Sequence, residues 1–246
     1  MPSISERLSA KDHLAVALDF PNVTEAIALV DRLGNICSWY KVGMELYYAA
    51  GDYIVRQLHD RGFSVFLDLK LHDIPNTVAA AVRSVSQTGA SLLTIHATGG
   101  AAMMSAAAVA AASPGAPRLL AVTVLTSMDA KELANIGIEA SPADEVLRLA
   151  KLAQTSGINS FVCSPEEVAM LRKNAGPDSL LVVPGIRPTG SETGDQKRIA
   201  TPTKAIADGA SLLVVGRPIT RAADPVLAAH SILEEIQEAI EQPIAG

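Results

Sequence analysis

The sequence predicts an α/β protein folded as a closed (β/α)8 (TIM) barrel, and three observations carry this prediction. Short runs of apolar and β-branched residues alternate eight times with longer helical patterns. Most of these runs are continuously apolar, which is typical of parallel strands that are buried on both faces. The chain has 246 residues, a length at which α/β barrels form one domain. We therefore expect a single barrel domain over residues 1–246.

The eight strands are expected where aliphatic and β-branched residues run together between turn residues. They are predicted at residues 13–19, 39–44, 64–70, 92–96, 119–125, 160–163, 180–184 and 212–215.

A helix is expected after each strand, because apolar residues recur there at helical spacing. Pro or polar residues stand at the starts of these segments and Gly follows most of their ends. An open, doubly wound sheet is the alternative architecture, although no GxGxxG motif follows the first strand. The helices are predicted at residues 23–33, 47–60, 75–88, 100–112, 142–155, 165–174, 203–208 and 225–241, with a short extra one at 131–138.

The composition argues against several classes of protein. Apolar residues make up 49% of the chain, enough for a sizeable core, and the net charge of −6 makes a nucleic-acid partner unexpected. Residues 1–11 lack the apolar segment of a secretory signal, and the apolar region 92–112 is rich in Ala. Cys37 and Cys163 are far apart and no His residues cluster, which favours reduced core thiols over a disulfide or a metal site. We expect a cytoplasmic protein with no membrane partner and no bound metal.

The segment from Asp68 to Thr77 (DLKLHDIPNT) carries the strongest functional signal. Residues two apart on a strand point to the same side, so Asp68 and Lys70 should project together where the third strand ends. Asp73 follows in the loop. A Lys beside carboxylates should stay protonated, which suits Lys70 to donate a proton or to stabilise an anion rather than to form a Schiff base.

Two further ionisable residues fall on neighbouring strand ends: Asp19 closes the first strand, and Lys41 lies within the second. Chemistry in a (β/α)8 barrel takes place at the carboxyl ends of the strands, where these groups would meet Asp68 and Lys70. A structural salt-bridge network is the alternative, but buried ion pairs stabilise a fold weakly. The pattern favours an active site with fixed charges of alternating sign.

The seventh and eighth strands run into two similar segments, Pro184-Gly185-Ile186-Arg187-Pro188 and Val215-Gly216-Arg217-Pro218-Ile219. The loops after these two strands are the usual phosphate site of the barrel. Gly216 would allow the backbone to approach an anion, and both Arg side chains can bind phosphate oxygens. A tight turn with a surface Arg is the alternative for each segment taken alone.

Two loops could complete a ligand site. The polar loop 189–198 could close over a ligand, with Gln196 offering its amide. After the fifth strand, Thr126 and Ser127 could form hydrogen bonds with a polar ring.

Together these motifs resemble the orotidine 5′-phosphate decarboxylase family of the bacterial type. The resemblance rests on Asp68-x-Lys70-x-x-Asp73-Ile74-Pro75-x-Thr77 with Asp19 and Lys41 upstream, and on three later segments. It extends from Ala15 to Ile219. The later segments are Gly185-Ile186-Arg187-Pro188, Gly194-Asp195-Gln196-x-Arg198 and Val215-Gly216-Arg217.

The resemblance implies a cofactor-free decarboxylation of orotidine 5′-phosphate to UMP. Lys70 would protonate C6 of the pyrimidine, and Asp68 would lie near the substrate carboxylate. It also implies a homodimer, in which Asp73 and Thr77 reach the site of the neighbouring subunit. It further implies that Asp19 and Lys41 contact the ribose and that Thr126 and Ser127 contact the pyrimidine. The phosphate contacts it implies come from Arg187, Gln196, Gly216 and Arg217. Ile74 and Pro184 are also implied to contact the substrate.

Other functions remain open from the sequence. The metal-dependent 3-keto-L-gulonate 6-phosphate decarboxylases share the Asp-x-Lys-x-x-Asp element, although the Ile74-Pro75-x-Thr77 extension favours the pyrimidine enzyme. A sugar-phosphate isomerase, or a non-catalytic barrel that binds phosphate or nucleotide, would keep the phosphate segments without this chemistry.

Overall fold

Eight parallel strands form a closed barrel in the computed structural model, which describes residues 9–188 and 199–241. Each strand pairs with the next along the chain, and the last pairs with the first. The predicted (β/α)8 barrel is therefore confirmed, and the open doubly wound sheet was the wrong alternative. The strands are β1 Leu14–Leu18, β2 Trp39–Gly43, β3 Ser64–Leu71, β4 Leu92–His96, β5 Arg118–Val122, β6 Ser160–Val162, β7 Leu180–Val183 and β8 Leu212–Val215.

Helices follow the strands and pack around the barrel. No helix in the described part of the chain is both long enough and apolar enough to cross a membrane. Short 3-10 turns lie at Ala10–His13, Ala97–Gly99 and Pro165–Glu167. The α-helices are α1 Val23–Leu33, α2 Met44–Ala50, α3 Tyr53–Asp60, α4 Pro75–Val85, α5 Gly100–Ala110, α6 Ala130–Asn135, α7 Pro142–Thr155, α8 Val168–Ala175, α9 Pro202–Ala207, α10 Arg217–Thr220 and α11 Pro225–Glu241.

The main departure from the predicted elements lies after β2. The helix predicted at 47–60 is two helices, α2 and α3, separated by Gly51 in the left-handed region (φ 63°). The N–H of Gly51 donates to the carbonyl of Tyr47 and ends α2. Because α2 begins at Met44, directly after β2, its first turn lies at the mouth of the barrel. The short helix α10 was also missed by the prediction.

The core has two layers that follow the two faces of the strands. The larger layer lies between barrel and helices, and a smaller one fills the barrel itself. Since side chains alternate between the faces of a strand, residues two positions beyond an inner one face inward again. The inner layer is made by Ala15, Ala17, Phe66, Leu92, Leu120, Val182, Leu212 and Val214.

Polar side chains replace this apolar layer towards the carboxyl ends of three strands. Lys41 follows Trp39 by two residues, Asp68 follows Phe66, and Thr94 follows Leu92. The alternation that fills the lower barrel with apolar groups therefore also turns these three polar side chains inward, and Lys41 and Asp68 among them line the mouth.

Candidate active site

A cavity of about 420 Å³ opens at the carboxyl ends of the strands. We call it the mouth cavity. Its floor is the top of the inner apolar layer, including Ala17, Phe66 and Val214. Charged side chains line its walls, and β3 and β7, which lie four strands apart, put Lys70 and Arg187 on different sides of it. Such a cavity is large enough for a small, charged organic molecule.

The four predicted charges come together in alternating order. Lys70 Nζ lies 2.8 Å from both carboxylate oxygens of Asp68. Lys41 Nζ lies 2.8 Å from Asp19 Oδ1 and 4.0 Å from Asp68 Oδ2. The side chains of Lys41 and Asp68 are only 12% and 14% exposed, whereas that of Asp19 is 58% exposed. The network therefore runs from the rim of the cavity down to its wall.

The backbone of β3 is irregular where it carries Lys70. From Leu67 to Leu71 this strand advances four residues, while β4 advances two, from Leu93 to Ile95. Lys70 lies in this bulge with φ 51°, the one non-glycine residue with a positive φ among residues 9–188 and 199–241. The prediction that Asp68 and Lys70 lie together holds, but a bulge and not a regular strand brings them together.

Thr94 of β4 supports this irregular segment. The N–H of Lys70 donates to Thr94 Oγ1 at 2.8 Å, and Thr94 Oγ1 donates to Asp68 Oδ1 at 3.0 Å. Thr94 was not among the site residues predicted from the sequence. Its spacing of two from the inward-facing Leu92 was the signal that could have identified it.

Gly43, at the end of β2, gives the Lys41–Asp19 pair its space. A Cβ at Gly43 would lie 3.0 Å from Lys41 Nζ and 3.3 Å from Asp19 Oδ1, closer than side chains normally pack. The absence of a side chain at this position therefore allows the 2.8 Å contact between the two charges.

The β7 and β8 ends provide the cationic side of the cavity. Gly185 takes a left-handed conformation (φ 80°) after β7, and Arg187 follows it. The N–H of Arg187 donates to the carbonyl of Ala200 and its Nη1 donates to the carbonyl of Ile186. Burial lowers the pKa of the Arg187 guanidinium, and the neighbouring charge of Arg217 lowers it further. Two mutually repelling guanidinium groups beside Gly216 favour an anion in this part of the cavity.

The remaining predicted residues divide into three groups. Thr126 and Pro184 line the mouth cavity, whereas Ser127 is exposed and lies outside its described lining. Asp73, Ile74 and Thr77 are also exposed and do not line the cavity of their own chain. Gln196 and the whole predicted lid, 189–198, lie outside the described residues.

Several lining residues were not predicted. Glu45 reaches the cavity from the first turn of α2, and Thr220 and Arg221 reach it from the end of α10. The sequence did not identify these residues, because α10 was not predicted and the start of α2 was predicted three residues too late. Cys163, predicted as a core thiol, is buried and forms no disulfide, but it also lines the cavity.

Among residues 9–188 and 199–241, no three His, Cys, Asp or Glu side chains form a group that could hold a metal ion. The rings of His72 and His96 lie 5.4 Å apart, centroid to centroid, with their planes tilted by 36°. Burial lowers the pKa of His96, and the nearby His72 and Lys70 lower it further.

The barrel and its mouth define a class of protein, the (β/α)8-barrel enzymes with a charged active site at the carboxyl ends of the strands. Within that class, the chain belongs to the orotidine 5′-phosphate decarboxylase / HUMPS family, whose model matches residues 12–232.

Individual relatives agree with this assignment over nearly the whole chain. The orotidine 5′-phosphate decarboxylase of Moorella thermoacetica is 48% identical over 238 residues, which cover 94% of each protein. That of Haemophilus influenzae is 52% identical over 89% of this chain and 96% of its own. The crystal structure of orotidine 5′-phosphate decarboxylase from Lactobacillus acidophilus superposes with a TM-score of 0.80. It is 40% identical to this chain and covers 91% of this chain and 98% of its own.

A Gly43→Ala substitution should disturb the network without adding or removing a charge. The new Cβ should displace Lys41 Nζ by a few tenths of an ångström and lengthen its 2.8 Å contact with Asp19. Crystal structures of the parent and the variant at matched resolution would measure this distance. An unchanged contact would contradict the role assigned to Gly43.

Proposed function

We propose that this protein decarboxylates orotidine 5′-phosphate to UMP without a cofactor. The observation that carries the proposal is the Lys70 ammonium group, held at 2.8 Å from both oxygens of Asp68 in a cavity that also contains Arg187 and Arg217. The first pair suits chemistry on a ring, and the two Arg side chains suit a phosphate group at the other end of a nucleotide. The named activity of relatives about 50% identical to the chain supports the same substrate.

The proposed reaction breaks the bond between C6 of the pyrimidine and its carboxylate carbon. The electron pair of that bond stays on C6, and carbon dioxide leaves as a neutral molecule. Lys70 Nζ transfers one proton to C6, which gives UMP, and the neutral amine then regains a proton from solvent. Because the ammonium group is positioned before the reaction begins, it stabilises the developing negative charge with little reorganisation.

Asp68 has two roles in this proposal. Its carboxylate orients the Lys70 ammonium group, and it lies where the substrate carboxylate must approach. The repulsion between the two carboxylates raises the energy of the bound substrate and disappears as carbon dioxide forms. Lys41, 4.0 Å from Asp68, keeps this corner of the cavity from carrying excess negative charge.

The rest of the cavity would bind the parts of the nucleotide that do not react. We assign the ribose hydroxyls to Lys41 and Asp19, and the phosphate to Arg187, Arg217 and the backbone of Gly216, with Gln196 added from the loop 189–198. Thr126 and Pro184, which line the cavity, would contact the pyrimidine. Binding energy from these remote groups can hold C6 against Lys70, even though they take no part in the bond changes.

We further propose a homodimer with shared sites. Asp73 and Thr77 are exposed and lie outside the cavity of their own chain, so they are free to reach the cavity of a second copy. Ile74, between them, is 66% exposed, and Tyr48 on α2, which follows the neighbouring strand, is 77% exposed. Large exposed apolar side chains beside a polar rim are typical of a protein interface.

We place this homodimer in the cytoplasm. Both cysteines, Cys37 and Cys163, are buried and neither forms a disulfide, which fits a reducing compartment.

A Lys70→Ala substitution tests the proposed chemistry. We expect kcat for orotidine 5′-phosphate to fall by roughly 10⁴-fold, because the proton donor and the nearest cation are lost together. UMP should still bind within about tenfold of the parent affinity, since the phosphate contacts are intact. The loss of substrate absorbance and calorimetric titration with UMP measure the two effects.

Lys173→Ala, at an exposed Lys in the last turn of α8, is the matched control and should leave both values unchanged. A Lys70→Ala protein that decarboxylates at the parent rate would refute the mechanism.

Mixed dimers test the shared site. Lys70→Ala and Asp73→Asn should each be nearly inactive alone, because every site then lacks one required group. After subunit exchange, each mixed dimer regains one intact site, so an equimolar mixture should recover roughly a quarter of the parent activity. Exchange is verified separately with differently tagged chains. If exchanged mixtures stay inactive, Asp73 does not act across the interface.

A further inference from the structure

We propose that Thr94 is a positioning residue for the Lys70–Asp68 pair, an inference that rests on the proposed decarboxylation. Thr94 lies in the middle of β4 and is fully buried. It is absent from the described lining of the mouth cavity, so a bound nucleotide would not touch it. Any effect of Thr94 on the reaction must therefore pass through the residues it contacts.

The Thr94 hydroxyl has one proton to donate and two lone pairs that can accept, and its two hydrogen bonds hold the group in one orientation. It donates to Asp68 Oδ1 at 3.0 Å and accepts from the N–H of Lys70 at 2.8 Å. One buried atom thus connects the backbone of the proton donor to the carboxylate that holds the donor's ammonium group.

The bulge in β3 explains why this connection is needed. Where the register shifts between Leu67 and Leu71, the regular ladder to β4 is interrupted. The N–H of Lys70 finds its partner in the Thr94 side chain. A Lys in the left-handed region is also strained, and such a conformation persists only where its surroundings hold it. Thr94 supplies a hydrogen bond that holds it.

The expected consequence concerns the bond-breaking step more than binding. Catalytic groups lose efficiency when they move by a fraction of an ångström. Without the hydroxyl, Lys70 and Asp68 would keep their charges but lose their fixed orientation. Arg187 and Arg217 lie in the segments that follow β7 and β8, on the other side of the cavity, and would still bind phosphate.

The test compares Thr94→Val, which keeps the shape and removes the hydroxyl, with Thr94→Ser, which restores it. We expect Thr94→Val to lower kcat by about 10- to 100-fold. KM for orotidine 5′-phosphate and Kd for UMP should stay within about threefold of the parent values. Thr94→Ser should recover kcat to within about threefold of the parent. Thr94→Ala is the second hydroxyl-free variant if the Val protein does not fold.

Thr123→Val is the matched control. Thr123 follows β5, is 3% exposed, and donates to the carbonyl of Val162 at 3.1 Å, whereas the hydrogen bonds of Lys70 and Asp68 go to each other and to Thr94. The Thr123→Val variant therefore also loses a buried threonine hydroxyl, and its kcat should stay within about twofold of the parent value. Thermal unfolding of both variants separates a loss of stability from a loss of positioning.

Equal kcat values for Thr94→Val and Thr123→Val would overturn the proposal, and so would a Thr94→Ser protein as slow as Thr94→Val. A parent protein that decarboxylates nothing would instead refute the proposed function. Crystal structures of the parent and Thr94→Val would then decide the positioning role. An unchanged Lys70 φ and unchanged Nζ–Asp68 distances would overturn it.

Discussion

The contact between the Lys70 ammonium group and the Asp68 carboxylate is the interaction on which the rest of the site depends. Both carboxylate oxygens lie 2.8 Å from Nζ, and the Asp68 side chain is only 14% exposed. Removing two such charges from water costs free energy that their attraction only partly offsets. An apolar pair at the same place would stabilise the barrel better, so the charges are best explained by chemistry at the open cavity they face.

The barrel tolerates this unfavourable arrangement because apolar packing and charged groups occupy different positions along its strands. Apolar side chains such as Phe66 and Leu92 fill the lower interior, and the polar groups begin two residues further on. Arg187 and Arg217, which follow β7 and β8, lie across the cavity from the bulge in β3. In the proposed reaction, binding and bond breaking are thus carried by different parts of the barrel, so that a remote phosphate would contribute to the placement of the reacting ring.

Most helix and strand bounds, and the charged residues at the strand ends, could be predicted from the sequence because they depend on local patterns of residues. The bounds of α1 and α7 follow from the caps Asn22 and Ser141, and those of β4 and β8 from short apolar runs. Asp19 and Lys41 were identified because parallel strands bring their carboxyl ends together.

The parts that escaped prediction depend on tertiary contacts. The left-handed Lys70 follows from a register shift between two strands, which one strand's sequence does not encode. Thr94 was overlooked because a β-branched residue in an apolar run is typical of any strand. A lone Gly such as Gly51 is compatible with a continuous helix, so the break before α3 was not visible either.

The most direct test of the central claim uses the parent protein alone, freed of metal by a chelator and then dialysed. We expect it to consume orotidine 5′-phosphate, followed by loss of absorbance, at the same rate as protein that was never treated, and to release one carbon dioxide per UMP formed. Activity that disappears with the chelator and returns with Mg²⁺ would contradict a mechanism based on the Lys70–Asp68 pair and place the chemistry on a metal ion instead.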